Sequence, residues 1–232
     1  MLDDAAIFSC VDHTLLNPTA VWDEIAVLCN EAIRYKTASV CIPPAFIKRV
    51  HGQYKEAITI CTVIGFPLGY STMETKMQEL TQAITDGALE LDVVINIGDA
   101  KAKDFSKITA ELTALKKAAG DKVLKVIVET CYLDEDEKIA VCKCVTDSGA
   151  DFIKTSTGFG KDSKGGTGGA TLEDIRLFKQ HIGAGVKIKA SGGLRTREDF
   201  VAFINEGCER LGTSSAVKVL CGDSQDSNNT SY

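Results

Sequence analysis

The sequence predicts a single-domain α/β chain folded as a (β/α)8 barrel, the TIM-barrel architecture, on three observations. Short β-branched runs alternate eight times with stretches of helical period, and glycines stand where the helices should end. The length of 232 residues lies near the roughly 250 typical of such a barrel, whereas a doubly wound sheet usually has about five or six strands. The predicted strands are Cys10–Leu15, Ser39–Ile42, Thr59–Ile64, Glu90–Asn96, Leu124–Glu129, Phe152–Thr155, Val186–Ala190 and Arg210–Thr213. Between them run apolar stripes of helical spacing. Val21, Ile25, Leu28 and Ala32 form the first, Met73, Met77, Leu80 and Ile84 the second, and Phe105, Ile108, Leu112 and Leu115 the third. Ile139, Cys142 and Val145, then Phe200, Phe203 and Ile204, mark two more. Ser71 with Glu74 has the capping-box pattern, and Thr171 with Asp174 and Thr196 with Asp199 are acidic variants of it. Gly87, Gly120, Gly149, Gly183 and Gly207 each follow a stripe, where a left-handed residue ends a helix. The barrel domain is expected over 1–220. Residues 221–232, CGDSQDSNNTSY, hold little to bury and are expected as a flexible C-terminal tail.

Composition narrows the function. Lys and Arg total 26 against 32 Asp and Glu, for a net charge of −6, and no basic block points to a nucleic-acid partner. A small anionic ligand remains open, because backbone N–H groups and a local cation can hold a phosphate in an acidic protein. No uninterrupted apolar run is long enough to span a bilayer, and the start MLDDAAIFSCVD lacks the basic and apolar regions of a signal peptide. A cytoplasmic protein with no membrane partner is expected. The nine cysteines have no framework spacing, and Cys29, Cys61, Cys131 and Cys208, inside apolar runs, are read as buried thiols of a reducing compartment. His13, His51 and His181 are too scattered for a metal centre, and Cys142-Lys-Cys144 lacks a second pair at zinc spacing, so no metal is expected.

In such a barrel the active site sits where strands end and βα loops begin. Asp92 in ELDVVIN, Lys154 in DFIKTSTG and Lys189 in VKIKASGG are charges inside runs that otherwise look buried. They form either a structural ion-pair network closing the barrel or a catalytic set. Two lysines for one aspartate argue against simple pairing. A protonated lysine beside a second one favours the neutral amine that Schiff-base chemistry with a carbonyl requires. Lys187 and Glu90 share faces with Lys189 and Asp92 but lie deeper, and are read as a deeper charge pair or rim contacts. Ser191-Gly192-Gly193 and Gly212-Thr213-Ser214-Ser215 follow the last two strands, where barrels often bind phosphate. The stretch GFGKDSKGGTGGAT over 158–171 fits neither of the common phosphate-loop spacings and is read as a flexible loop, with Lys161 or Lys164 placed to fold over a phosphate.

These motifs together, DHTLLNPTA from Asp12, VCIPP around Cys41, TVIGFPLG from Thr62, ELDVVIN, KTSTGFG, KASGGLRT and RLGTSS, span nearly the whole chain. In that order they resemble the deoxyribose-phosphate aldolase family of class I aldolases. The resemblance implies reversible cleavage of 2-deoxy-D-ribose 5-phosphate to acetaldehyde and D-glyceraldehyde 3-phosphate, in deoxyribose phosphate catabolism, without metal or organic cofactor. It implies Lys154 as the Schiff-base lysine, Lys189 as the second lysine that perturbs it, and Asp92 as the proton-relay acid. Asp12, Thr14, Cys41 and Thr157 match the sugar pocket, and Gly158, Gly192, Gly193, Ser214 and Ser215 the phosphate site. Some members end in a tyrosine that helps move a proton, and this chain ends in Tyr232. A homodimer or larger homo-oligomer acting on small phosphosugar and aldehyde substrates is expected. Two departures stand out: the loop after KTSTG is longer than in many relatives, and Phe159 occupies the place where some carry a phosphate-binding lysine. A phosphosugar isomerase would share the phosphate loops without needing an amine at Lys154. A non-catalytic binding barrel would lack one of the three charged residues. The shortage of histidines disfavours a metal-dependent aldolase.

Overall fold

The computed structural model describes residues 2–161, 165 and 168–222. Eight parallel strands close into a barrel in chain order. They are β1 (Val11–Thr14), β2 (Ser39–Ile42), β3 (Ile60–Ile64), β4 (Glu90–Val94), β5 (Val123–Ile127), β6 (Phe152–Lys154), β7 (Lys187–Ser191) and β8 (Arg210–Thr213). β1 pairs with β8, Val11 opposite Leu211 and Asp12 opposite Gly212, which seals the sheet. The helices α2 (Trp22–Tyr35), α3 (Ile47–Tyr54), α4 (Met73–Asp86), α6 (Phe105–Ala119), α7 (Glu135–Ser148), α8 (Leu172–His181), α9 (Arg197–Glu206) and α10 (Ala216–Cys221) follow the strands one by one. Two short helices that the sequence reading lacked are α1 (Asp4–Phe8), ahead of β1, and α5 (Ile97–Lys101), between β4 and α6. Among the described residues no helix is long and apolar enough to cross a membrane.

Strand alternation sorts the side chains. Val40, Ile42, Ile60, Ile64, Leu91, Val93 and Val126 join the large apolar core shared with helix residues such as Ile25, Leu80 and Leu112. Their neighbours Asp12, Asp92, Lys125 and Lys189 turn the other way and are equally buried, so the barrel interior is charged and the shell around it apolar. α2 docks through Ile25, Leu28, Cys29 and Ala32, whereas Val21, the first member of its predicted stripe, is the exposed N-cap. In α4 the buried face is Lys76, Leu80 and Ala83. Lys76 donates to the Val94 carbonyl and to Glu111 of α6, both at 2.9 Å, so a buried lysine takes the place that the Met stripe was expected to fill.

Several boundaries move for identifiable reasons. The strand expected over Glu90–Asn96 stops at Val94 because Asn96 turns to cap α5, accepting the N–H groups of Gly98 and Asp99. The strand expected to reach Glu129 stops at Ile127, since Glu129 has φ 54°, outside any strand. Thr72, not Ser71, caps α4 and accepts the Thr75 N–H, while Thr171 and Thr196 cap α8 and α9 as predicted. Gly87, Gly149 and Gly207 are left-handed caps. Gly183 is not: α8 ends in an extended Ile182, and glycine is needed next because a Cβ there would lie 2.3 Å from Thr146 Cγ2. The nine cysteines, all among the described residues, form no disulfide; Cys29, Cys61 and Cys208 are buried as expected, but Cys131 is half-buried.

Candidate active site

The C-terminal ends of the strands surround a cavity lined by Thr14, Leu16, Lys154, the Thr157–Phe159 turn, Ser191–Arg195 and Gly212–Ser215. Lys154 ends β6, and its Nζ donates to Asp92 Oδ2 at 2.8 Å. Lys189 Nζ reaches the same oxygen at 2.7 Å from β7, so one carboxylate oxygen on β4 is shared by two lysines. Lys189 also holds Asp12 Oδ2 at 2.5 Å. The three charges singled out in the sequence therefore meet, with Lys154 at the cavity and Lys189 beneath it, fully buried.

Beneath them lies a layer that the sequence reading missed in part. Lys125 on β5 bonds Glu90 at 2.6 Å, Asp92 Oδ1 at 2.9 Å and Asp12 at 3.4 Å. Arg210 on β8 bonds Asp12 at 2.6 Å and Glu90 at 2.8 and 2.9 Å. Lys125 carried the same signal as its neighbours, a charge in the apolar run LKVIV two residues from the next inward position, and Arg210 stood at a strand start where a surface position was the simpler reading. Glu90 is a deep charge partner as expected, whereas Lys187 is a half-exposed rim residue paired with Glu209 at 2.8 Å.

Electrostatics fix the protonation of this layer. Burial works against ionisation of Asp92, but Lys125, Lys154 and Lys189 hold its carboxyl well below the usual range. Asp12 behaves likewise: burial opposes its charge, and Lys125, Lys189 and Arg210 prevail. Burial would strip the proton from Lys189, yet Asp12 and Asp92 keep it above the ordinary lysine range. Asp92 is thus a carboxylate and Lys189 an ammonium. Lys125, Lys189 and Arg210 match Asp12, Glu90 and Asp92 charge for charge, and Lys154 adds one more amine on Asp92.

Thr14 lines the cavity, and its hydroxyl donates to the Asp12 carbonyl at 2.7 Å. Asp12 itself lies one strand step deeper, where Ser39, Lys189 and Arg210 occupy it. Cys41 is fully buried with Cys61, opposite it on β3, in a small apolar cluster with Leu16, Val63 and Phe66. Cys41, Cys61 and Asp92 bring two sulfurs and a carboxylate oxygen within 4.8 Å of one another, a donor set that suits a soft cation by type. The three lysines crowding Asp92 oppose any cation there.

Gly158, Gly192, Gly193, Ser214 and Ser215 all line the mouth. Gly192 and Gly193 both have φ near 80°, a left-handed pair that lets the backbone curl toward the cavity. The loop after β6 is stitched to this turn by the Ala170 N–H, which donates to the Ser191 and Gly192 carbonyls at 3.1 Å. The Ser215 hydroxyl contacts the Leu194 carbonyl at 3.1 Å, so it shapes the loop. Arg195, absent from the sequence-based set, adds a cation to the mouth. Phe159 also lines it and meets Phe66 edge to face with ring centres 5.3 Å apart. Lys164 and Tyr232 lie outside the described residues.

A closed parallel barrel with a lysine amine at its mouth, backed by an aspartate and a second lysine, is the arrangement of a class I, Schiff-base aldolase. The chain belongs to the DeoC/LacD family of aldolases, whose model matches residues 6–222. It is 60% identical over 222 residues to a deoxyribose-phosphate aldolase of Clostridium botulinum, covering 96% of this chain and 98% of that one. To the deoxyribose-phosphate aldolase of Clostridioides difficile it is 58% identical over 214 residues, 92% of this chain and 95% of the relative. Among solved structures, the tetrameric deoxyribose phosphate aldolase of Aeropyrum pernix superimposes with a TM-score of 0.85 at 31% identity, over 95% of this chain and 92% of that one.

Proposed function

We propose that Lys154 is the amine that forms the Schiff base in the reversible cleavage of 2-deoxy-D-ribose 5-phosphate to acetaldehyde and D-glyceraldehyde 3-phosphate. The observation that carries this assignment is the Asp92 oxygen shared by Lys154 at 2.8 Å and Lys189 at 2.7 Å. The Lys154 amine adds to the C1 aldehyde and, with loss of water, gives an iminium. A base removes the C3 hydroxyl proton, the C2–C3 bond breaks, and its electron pair flows into the iminium to leave an enamine as D-glyceraldehyde 3-phosphate departs. Protonation of the enamine carbon and addition of water release acetaldehyde and restore the amine. Asp92, ionised, is the proton acceptor of the relay; Lys189, which keeps its proton, is the donor.

The phosphate is assigned to the backbone around Gly158, Gly192 and Gly193 and to Ser214 and Ser215, with Arg195 supplying charge where Phe159 does not. Thr14 faces the sugar, while Asp12 and Cys41 support the floor beneath it. The tetrameric Aeropyrum relative supports assembly of this chain as a homo-oligomer, and the undisulfided cysteines of this chain suit a reducing cytoplasm. Incubation with acetaldehyde, borohydride reduction and peptide mapping tests the assignment. A reduced adduct on Lys154 is expected; an unmodified Lys154, or an adduct on Lys189 alone, overturns it.

A further inference from the structure

Glu129 is a buried carboxylate that the reaction does not use, and its backbone and side chain are both unusual. It follows β5 with φ 54°, a left-handed conformation uncommon for a residue with a side chain, and it is only 1% exposed. Its two oxygens accept the Thr157 backbone N–H at 3.3 and 3.2 Å, and Oε2 also accepts the Thr157 hydroxyl. That hydroxyl accepts the Phe159 N–H at 3.0 Å. The single hydroxyl proton of Thr157 is therefore committed to Glu129, which leaves the hydroxyl unable to donate to a substrate. The carboxylate thus fixes the turn at Thr157, and the Thr157 hydroxyl passes that hold on to the Phe159 N–H. The chain then passes so close that a Cβ at Gly160 would stand 2.9 Å from Glu129 Cδ and 2.8 Å from Cys131 Sγ.

This turn connects the amine to the mouth: Lys154 lies three residues before Thr157, and Gly158 lies just after it at the cavity wall. We infer that Glu129 is a positioning residue for the phosphate end of the substrate, acting through Thr157 to hold the Gly158 backbone where the phosphate is bound. The inference rests on the reading of the glycine loops as the phosphate site. Burial pushes the Glu129 carboxyl up, against the hydrogen bonds from Thr157 that favour its charge. The carboxyl is satisfied where it is buried, accepting both donors of Thr157 and, at 3.9 Å, the Cys131 thiol.

The test compares 2-deoxyribose 5-phosphate with unphosphorylated 2-deoxyribose in the full-length wild type and in Glu129→Gln, Thr157→Val, their double variant and Thr157→Ser. In Glu129→Gln the KM for the phosphorylated sugar should rise about tenfold, by more than kcat falls, and the preference for the phosphorylated sugar should drop by a similar factor. Thr157→Val should do the same, the double variant should be no worse than either single one, and Thr157→Ser, which keeps the hydroxyl, should restore the preference. Losses in kcat that are equal on the two sugars, or losses that add in the double variant, overturn the inference. If Glu129→Gln does not fold, the contrast between Thr157→Val and Thr157→Ser decides on its own. A wild type without preference for the phosphorylated sugar overturns the phosphate reading and the inference with it. A wild-type preference that survives in Glu129→Gln overturns the inference alone.

Discussion

On the outer face of the sheet Ile42, Leu91, Val93 and Val126 pack against the surrounding helices, while one residue along the same strands Cys41, Asp92 and Lys125 face the barrel interior. Both faces are equally buried, but they are stabilised differently. Each outer side chain contributes about 1.5–3 kcal/mol by leaving water, without regard to direction, so a similar apolar residue can replace it. An inner charge is stable only through its partners. Asp92 without Lys125, Lys154 and Lys189, or Arg210 without Asp12 and Glu90, would be an ion largely out of water with no partner. The comparison teaches that the fold resides on one parity of the strands and the chemistry on the other.

Substitutions one residue apart can break that contrast. Lys154→Ala should lower kcat/KM at least about a thousandfold and abolish the borohydride adduct. Its melting temperature should stay close to the wild type's, because the remaining inner charges balance. Asp92→Asn should lower both properties: turnover, through the relay, and unfolding free energy by about 3–5 kcal/mol, because Lys125 and Lys189 lose a shared carboxylate. Leu91→Ala, the neighbour on the outer face, should cost about 2–5 kcal/mol in denaturant titration and leave kcat within about twofold. Equal effects of Leu91→Ala and Asp92→Asn on turnover would erase the distinction between the faces.

The pH dependence of stability sharpens the same comparison. Asp12 and Asp92 have lowered pKa values, so their contribution is present above the usual carboxylate value of about 4 and is lost as pH falls below it. Lys125 and Lys189 have raised values, so theirs is present below about 10.4 and is lost as pH rises above it. The melting temperature should therefore show a plateau from this network between those limits, and a steep slope near neutrality would contradict it. The smallest effect is expected farthest from the interior: Thr196→Ala, which removes the α9 cap, should cost about 1 kcal/mol and leave the pH profile unchanged.

The strands were legible because their outward residues repeat with period two against helical stripes of period 3.6, and the two strands with the plainest borders, Ser39–Ile42 and Arg210–Thr213, match to the residue. Lys154, Asp92 and Lys189 stood out as charges in apolar runs. Lys125, in LKVIV, met the same criterion. Glu129 was unreadable for another reason: at a strand's end a glutamate looks solvent-facing, and only its left-handed backbone turns it under the Thr157 loop. Arg195 was hidden in a loop, where no periodicity indicates which side chains face the cavity.

The seam between β1 and β8 joins residues about two hundred positions apart, and Arg210 bonds Asp12 across it at 2.6 Å. During synthesis the first strand therefore waits for almost the entire chain before its outer edge and its buried carboxylate are satisfied. Until β8 arrives, an incomplete barrel displays two open strand edges and an acidic floor that still lacks the Arg210 cation, the state most exposed to association with other nascent chains. The residue that completes the floor is thus also the one whose late arrival converts an adhesive intermediate into a sealed protein.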